Sequence, residues 1–504
     1  MSRALAAVVL VASLAVAVRY AWFMATTSLW NDEIYSVVLF SGPGPLVAVT
    51  DYHVPNNHVL FNLASSLLPG RGSVEPLRAR GISFVAFFGT LAVGFLLLRP
   101  LAGAWVGAVF VALLALNREL LDVALQARGY GLTLLFSTLA ALAVCRRSWA
   151  LLAVASVLGT YAVPTFALFS ASLFLAVLVF ECGPSRPDRR RLLFAAIGAA
   201  LGALLLYLPI LRLLLTNAAT YGDAWGESYR SWRAVAETFR LYVASPDLFG
   251  RPLPAVLAAL ALVALVFLAV RRGGPALALA VASLGFLTLC LVLRTPQIRT
   301  TLFVAPPLLV ALLLSLPEPF NRSSVRLAVS ALLVFTAVRL LERPRPLPLE
   351  DWTSVGRFIE ETFPARIPVR AYWPVVCLKS YVSPERRVEM EIDAGAFSRG
   401  EAIALRNDPN RGLVFEGGAG SVGVHFPQRR WNEQIVVFHP PVDRHVTFAG
   451  GRFVLTPPGR YRSLVVARPA RPPIVIPLGD RITTSVPWPG PVEAAGAWAY
   501  PSDP

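Results

Sequence analysis

ALAAVVLVASLAVAVRYAWFM (residues 4–24), running directly into ATTSLWNDEIY (residues 25–35), decides how this chain is read. The first stretch carries a single charge, Arg19, and is otherwise almost wholly apolar. At about 1.5 Å per helical residue it crosses a hydrocarbon core about 30 Å thick. The second stretch places two adjacent carboxylates, Asp32 and Glu33, just past the membrane exit, between Trp30 and Tyr35. Arg3 and Ala15-Val16-Ala17 also match the outline of a signal peptide with its cleavage site. A chain that goes on to cross repeatedly keeps its first helix, and this one does go on.

Comparable apolar windows recur at 79–98, 102–117, 129–145, 149–163, 165–182, 192–211, 252–270, 275–293, 301–316 and 326–341, which predicts about eleven spans. Composition agrees. The 504 residues are 56% hydrophobic and 15% charged, with a mean hydropathy of +0.60. Soluble domains carry about 25% charged residues, and a chain this apolar would expose too much hydrophobic surface to water. With 29 Phe and 11 Trp it is not a disordered chain either. Cys145, Cys182, Cys290 and Cys377 are scattered, without disulfide or metal spacing.

The net charge of +16 raises nucleic acid as a partner, and its distribution removes it. Residues 1–341 hold 26 basic and 13 acidic residues, so the excess lies in the half that is too apolar to bind DNA. Twelve of those bases fall on one side: Arg3, Arg99, Arg146, Arg147, Arg186, Arg189, Arg190, Arg191, Arg271, Arg272, Arg322 and Arg326. That is the positive-inside pattern, which predicts a cytoplasmic N-terminus in an inner (plasma) membrane. The register requires residues 57–69 to lie at the interface without crossing. Segments 25–78, 212–251 and the tail from 342 then fall outside.

The tail opens on the Pro-rich linker Glu342-Arg343-Pro344-Arg345-Pro346-Leu347-Pro348. Asp351 is placed to cap a short amphipathic helix reaching about Phe363. Short β-type runs follow at Leu413–Phe415, Gln434–Phe438 and Ser463–Val466. The expected organisation is a transmembrane module, 1–341, and a soluble extracytoplasmic domain of mixed α/β character, 342–504.

Chemistry concentrates at the predicted outer span ends. An interfacial aromatic belt with a solvated acidic pair accounts for Trp30–Tyr35 in purely structural terms. The functional reading uses the boundary itself, because partial desolvation beside a like charge makes a carboxylate a stronger base. The loop continues with Asp51-Tyr52-His53-Val54-Pro55-Asn56-Asn57-His58, whose His53, Asn57 and His58 suit sugar hydroxyls and a lipid phosphate. Asn56 or Asn57 also suits a helix N-cap. Gln126-Ala127-Arg128-Gly129-Tyr130 opens a span, and Arg294 and Arg299 flank another. Each Arg alone could snorkel; several on one face would clamp a phosphate, whose geometry guanidinium donors match. The loop 212–251 adds Tyr221, Asp223, Trp225, Glu227, Tyr229, Trp232 and Glu237, which anchor a helix or stack on sugar rings.

Taken in order, these motifs resemble the GT-C superfamily of membrane glycosyltransferases, specifically its bacterial protein O-mannosyltransferase-like and aminoarabinose-transferase-like branch. The resemblance covers most of 1–341. It rests on Trp30-x-Asp32-Glu33, Arg80-Gly81-Ile82-Ser83, Ala127-Arg128-Gly129-Tyr130, Tyr161-Ala162-Val163-Pro164-Thr165, Arg299 with Pro306-Pro307, and Asp351-Trp352 after the last span. The chain departs from the family where Asn57-His58-Val59 replaces Pro-Pro-Leu and where Val163 replaces His.

The resemblance implies a polytopic helical fold and a glycosyltransferase moving a sugar from a polyprenyl-phosphate donor to a protein, lipid or polysaccharide acceptor. It makes Asp32 the general base, supported by Glu33, with Arg128 in the active site. His53, Asn57, His58, Tyr130 and Arg299 are then substrate contacts, and membrane lipids the surroundings. No cofactor is implied: Asp32, Glu33, His53 and His58 are near in sequence but lack metal-ligand spacing. The alternative is a transporter or flippase of lipid-linked sugars, for which repeated halves and mid-membrane charges are expected and not seen. A silent scaffold presenting the tail is a third reading, opposed by the intact Asp32-Glu33 and Arg128.

Overall fold

The computed structural model describes residues 2–54, 57–181, 186–221, 238, 268–293, 298–316, 322–343, 350–362, 368–371, 375–390, 403–406, 422–427, 434–439, 445–449, 452–468, 471–477, 482–487 and 496–501. Most of the window 252–270, the run Leu413–Phe415, Asn56, Arg294 and the polar residues 223–237 lie outside them.

The helices in chain order are α1 (Ser2–Thr26), α2 (Asn31–Tyr35), α3 (Pro45–Thr50), α4 (Val59–Ser66), α5 (Pro76–Ala102), α6 (Ala104–Ala115), α7 (Arg118–Ala124), α8 (Tyr130–Cys145) and α9 (Trp149–Ala162). They continue with α10 (Phe166–Phe180), α11 (Arg186–Tyr207), α12 (Leu211–Tyr221), α13 (Gly274–Val292), α14 (Ala305–Ser315), α15 (Ser323–Glu342), α16 (Trp352–Thr362) and α17 (Val375–Lys379). Contacts divide the chain into two compact units. One is Met1–Thr26 with Ser36–Pro344; the other is Thr27–Tyr35 with Arg345–Pro504. The acidic stretch 27–35 therefore packs with the C-terminal region, although the sequence puts it in the N-terminal module.

Among the described residues of the first unit, five helical segments are long and apolar enough to cross a membrane: α1, α5, Asp188–Asn217 along α11 and α12, α13 and α15. The shorter apolar helices α8, α9, α10 and α14 pack with them, and this is a multi-pass membrane protein. Val11, Val85, Phe194, Leu205 and Phe335 point outward, as lipid-facing side chains do. Inside, Phe166, Phe169, Phe286 and Phe303 form one cluster, with ring centroids 4.8–6.0 Å apart.

The sequence window 102–117 reads as one span, and the structure fills it with the single helix α6 and bends the chain at its end. Helix α6 ends at Ala115, and α7 leaves at a 73° bend. Asn117 is the cause: its side chain accepts the Leu120 N–H (3.1 Å) and caps a new helix. Helix α4, at eight residues, is about 12 Å long and too short to cross. The outer segment expected from 212 opens as helix, α12, after a single 3-10 turn at Leu208–Ile210 that accommodates Pro209.

Several helix ends meet at one end of this bundle. Arg80 near the start of α5 donates to the Met24 carbonyl at the end of α1. Ser83 Oγ, also on α5, donates to the carbonyls of Gln126 (2.5 Å) and Arg128 (3.1 Å) ahead of α8. Thr165 ahead of α10 donates to the Thr300 carbonyl (3.1 Å), ahead of α14. Arg19 donates to the carbonyls of Leu340 (3.0 Å), Leu341 and Arg343 (2.9 Å), satisfying groups that the end of α15 leaves unpaired. The opposite end carries charged turns. Arg147 after α8 pairs with Glu181 after α10 (3.3 Å), and Arg326 of α15 lies 5.6 Å above the Trp105 ring.

In the second unit, α16 buries Trp352, Val355, Phe358, Ile359 and Thr362, one face at helical spacing. Asp351 caps it by accepting the Ser354 N–H (3.1 Å), as its sequence predicts. Gly356 on that face lets the chain at Tyr381 come close: a Cβ there would lie 2.3 Å from the Tyr381 carbonyl oxygen. Among the described residues ten strands follow: β1 (Val369–Ala371), β2 (Val388–Met390), β3 (Ile403–Arg406), β4 (Val422–Pro427), β5 (Gln434–His439), β6 (His445–Ala449), β7 (Arg452–Arg468), β8 (Arg471–Pro477), β9 (Ile482–Pro487) and β10 (Gly496–Pro501). One sheet has the order β2-β1-β3-β5-β4, with β1 parallel to both of its neighbours and β3, β4 and β5 antiparallel. In the other, β6 and β9 pair with the first part of β7, and β8 and β10 with its second part. The β7–β9 register shifts between Val454 and Gly459, where Pro457 and Pro458 offer no ladder N–H.

Candidate active site

Where α8 begins, its polar residues come together with the loop before α4. Arg128 is buried, with its guanidinium carbon 5.0 Å from the centre of the Tyr130 ring. The same ring meets His58 edge to face, at 4.8 Å between centroids. Gly129, between them, has no side chain to spare room for. A Cβ there would lie 2.7 Å from the Ala162 carbonyl oxygen and 3.1 Å from His58 Nδ1. Glycine is what allows α8, the end of α9 and the His58 loop to close up.

His58 is buried with Nδ1 3.4 Å from the Ala162 carbonyl oxygen. Facing a carbonyl, Nδ1 is the nitrogen that carries the proton, which leaves Nε2 with its lone pair. Nε2 is buried and has no hydrogen-bond partner among the described residues. Burial first, then the positive charge of Arg128, holds the imidazole well below its ordinary pKa; the Ala162 carbonyl opposes this, and Arg299 adds a smaller push downward. The ring is neutral at pH 7, and Arg128 and Arg299 share its electrostatic neighbourhood. Tyr52 joins the group. Burial raises its hydroxyl pKa despite the opposing charge of Arg128, and its carbonyl accepts from Asn217 of α12.

The sign of the His58 shift sets a pH dependence. In the unfolded chain a histidine titrates near pH 6.5, and in the fold His58 resists protonation, so below that pH the unfolded state binds more protons. Its contribution to stability is full above about pH 6.5 and falls by up to about 1.4 kcal/mol per pH unit below it. We expect the thermal midpoint to drop between pH 7 and pH 5, and to drop less in His58→Gln. Equal drops in the two proteins would refute the buried neutral imidazole.

The remaining residues expected from the sequence are placed differently. Both amide hydrogens of Asn57 are committed, to the carbonyls of Ala48 (3.0 Å) and Asp51 (2.6 Å), and its oxygen accepts from Asn62 (2.8 Å). Asn57 shapes the loop that presents His58, and the helix N-cap position falls to His58. His53 is exposed, with Nδ1 2.7 Å from Asp51 Oδ1 and its ring 5.3 Å from Phe40. Tyr52 lies within the motif 51–58, whereas Tyr207 and Asn217 had no motif to mark them. Tyr207 donates to the Thr160 carbonyl (2.7 Å) and meets the Tyr161 ring edge to face (5.5 Å), so it fixes the end of α9.

Asp32 and Glu33 belong to the second unit, on α2. Glu33 is fully buried and accepts the Trp30 N–H (3.1 Å), the return half of a capping box. Asp32 is partly exposed. The pair is thus divided: Glu33 holds the turn, and Asp32 is the carboxylate with access to solvent. Among the described residues no group of three or more His, Cys, Asp or Glu is gathered for a metal ion.

No family model and no curated protein sequence matches this chain. Solved structures do. ArnT from Cupriavidus metallidurans in the apo state is similar at a TM-score of 0.54 and 15% identity, over 85% of this chain and 97% of that one. ArnT bound to undecaprenyl phosphate gives a TM-score of 0.47 at 15% identity with the same coverage. The Archaeoglobus fulgidus oligosaccharyltransferase in complex with zinc and sulfate gives 0.46 at 13%, over 79% of this chain and 67% of that one. At such identities the likeness is one of fold, and this chain has a fold similar to that of ArnT over 85% of its length.

Proposed function

We propose that this protein transfers a sugar from a polyprenyl-phosphate donor to an acceptor at the outer face of the plasma membrane. Asp32 removes the proton from the acceptor nucleophile. The nucleophile bonds to the anomeric carbon, the sugar–phosphate bond breaks, and polyprenyl phosphate leaves. Arg128 and Arg299 stabilise the charge that grows on the phosphate oxygens. Inversion at the anomeric carbon follows from the resemblance to the GT-C family.

The observation that carries this reading is the cluster at the start of α8, where two arginines accompany a neutral imidazole with an open lone pair. A doubly basic site kept free of a third positive charge suits a phosphate ester. The bare Nε2 of His58 suits a hydroxyl donor, such as a sugar OH, and disfavours a ligand that offers only acceptors. Arginines in the turns at the far end of the bundle support a cytoplasmic N-terminus and an outer-face position for the cluster.

Incubating the reconstituted protein with a panel of polyprenyl-phosphate-linked hexoses, pentoses and aminopentoses tests the reading. The expected result is consumption of at least one donor with release of free polyprenyl phosphate, followed by mass. Intact donors across the panel, with labelled lipid moving between leaflets, would replace transfer by transport.

A further inference from the structure

A helix of five residues does not stand alone in water, because the cost of its first turn is not recovered over so short a length. Helix α2 carries Asp32, and it is supported from a distant part of the sequence. Three consecutive backbone N–H groups lead into it, and each is bound by a side chain. The Leu29 N–H donates to the Tyr381 hydroxyl (3.0 Å), the Trp30 N–H to Glu33 (3.1 Å), and the Asn31 N–H to Glu350 Oε2 (2.8 Å). One residue earlier, Ser28 Oγ donates to the Glu350 carbonyl (2.7 Å). The Cys377 thiol donates to Asn31 Oδ1 (3.3 Å).

Glu350 is the centre of this arrangement. It is buried, and its Oε2 also accepts from the indole N–H of Trp352 (2.6 Å), itself fully buried. Its backbone and its side chain therefore both grip the segment 28–31, while Trp352 at the head of α16 fixes its rotamer. Such charge-assisted bonds are about twice as strong as neutral ones. A buried carboxylate with two N–H donors is also costly to disturb, since loss of one donor leaves charge poorly compensated. The Cys377 thiol, raised by burial and then by the charges of Glu350 and Asp32, stays protonated and remains a donor.

From this geometry we infer that Glu350 is the positioning residue for the acidic loop: its carboxylate and carbonyl, with Tyr381 and Cys377 beside them, set where α2 presents Asp32. The inference rests on the assignment of Asp32 as base. It gives the C-terminal unit a part in the reaction, through the loop it holds. Glu350 itself touches no reacting atom.

The test uses the full chain in liposomes and the same donor panel. In Glu350→Ala we expect kcat to fall about a hundredfold with the donor KM within about twofold, the pattern of a misplaced catalytic group and not of a lost binding contact. Glu350→Gln keeps an acceptor for Asn31 and Trp352, and should recover about tenfold of that loss. Glu360→Gln is the control. Glu360 holds Ser383 and Arg386 (2.8 Å) in the same unit, and its loss should cost thermal stability while leaving kcat per folded molecule unchanged. A second readout is independent of chemistry: amide hydrogen exchange in peptides covering 28–35 should quicken about tenfold or more in Glu350→Ala. Wild-type kcat per folded molecule in Glu350→Ala, or unchanged exchange, would overturn the inference. An active Asp32→Asn with quickened exchange in Glu350→Ala would instead leave the clamp standing and remove the base.

Discussion

Asp32→Asn is expected to cut sugar transfer by about a hundredfold to ten-thousandfold, the range a general base contributes. Asparagine keeps the size and shape of the side chain, and the bonds to the Trp30 and Asn31 N–H groups run through Glu33 and Glu350. What it loses is the ability to take a proton. Glu33 is poorly placed to stand in: it is fully buried and its Oε2 is bound to the Trp30 N–H. The neighbouring Glu33→Gln variant should behave differently, with a loosened turn, a lower thermal midpoint and a smaller loss of kcat. The measurement is single-turnover transfer per folded molecule, with membrane insertion checked alongside. A fully active Asp32→Asn would end the assignment of the base.

Arg128→Met should cost about a hundredfold to a thousandfold in kcat, as loss of one charge-stabilising donor does elsewhere. Methionine fills much of the buried volume and keeps a contact with the Tyr130 ring, so the variant tests the charge more than the packing. Arg128→Lys restores the charge without the planar fork, and should recover only part of the rate. A further sign separates a phosphate contact from a packing role. Arg128 is one of the charges that hold the His58 pKa down, so its removal lets His58 titrate closer to pH 6.5. The residual activity of Arg128→Met should then weaken toward acid pH more than that of the wild type. Wild-type kcat in Arg128→Met would remove the residue from the reaction.

The sequence shows its spans because lipid demands long apolar windows, and α1, α5, α13 and α15 lie within a few residues of where those windows put them. The shortness of α4 and the Asp351 cap were legible for equally local reasons, a length and a side chain at a helix start. The bend after Ala115 was harder to see, because Asn117 lies inside an apolar window and acts by capping the next helix. Residues bonded across long separations left no sequence pattern at all. Asn31 with Glu350 and Leu29 with Tyr381 are each more than 300 positions apart, and periodicity carries no information over that distance. Of the expected site, the Arg128–Tyr130–His58 cluster was readable from its motifs. Whether Asn57 had a polar atom to offer was not, since that depends on which carbonyls the folded loop turns toward it.

The grip of Glu350, Cys377 and Tyr381 on residues 28–31 also bears on how such a chain can evolve. A recombination that replaced the tail alone would bring in a new Glu350 region without the Ser28 and Asn31 it has to fit. The early segment and the tail are thus inherited as a pair although the whole membrane bundle separates their codons. Among descendants of this protein, changes at Asn31, whose Oδ1 accepts from the Cys377 thiol, should be matched by changes at 377 before they are matched by anything in the spans between.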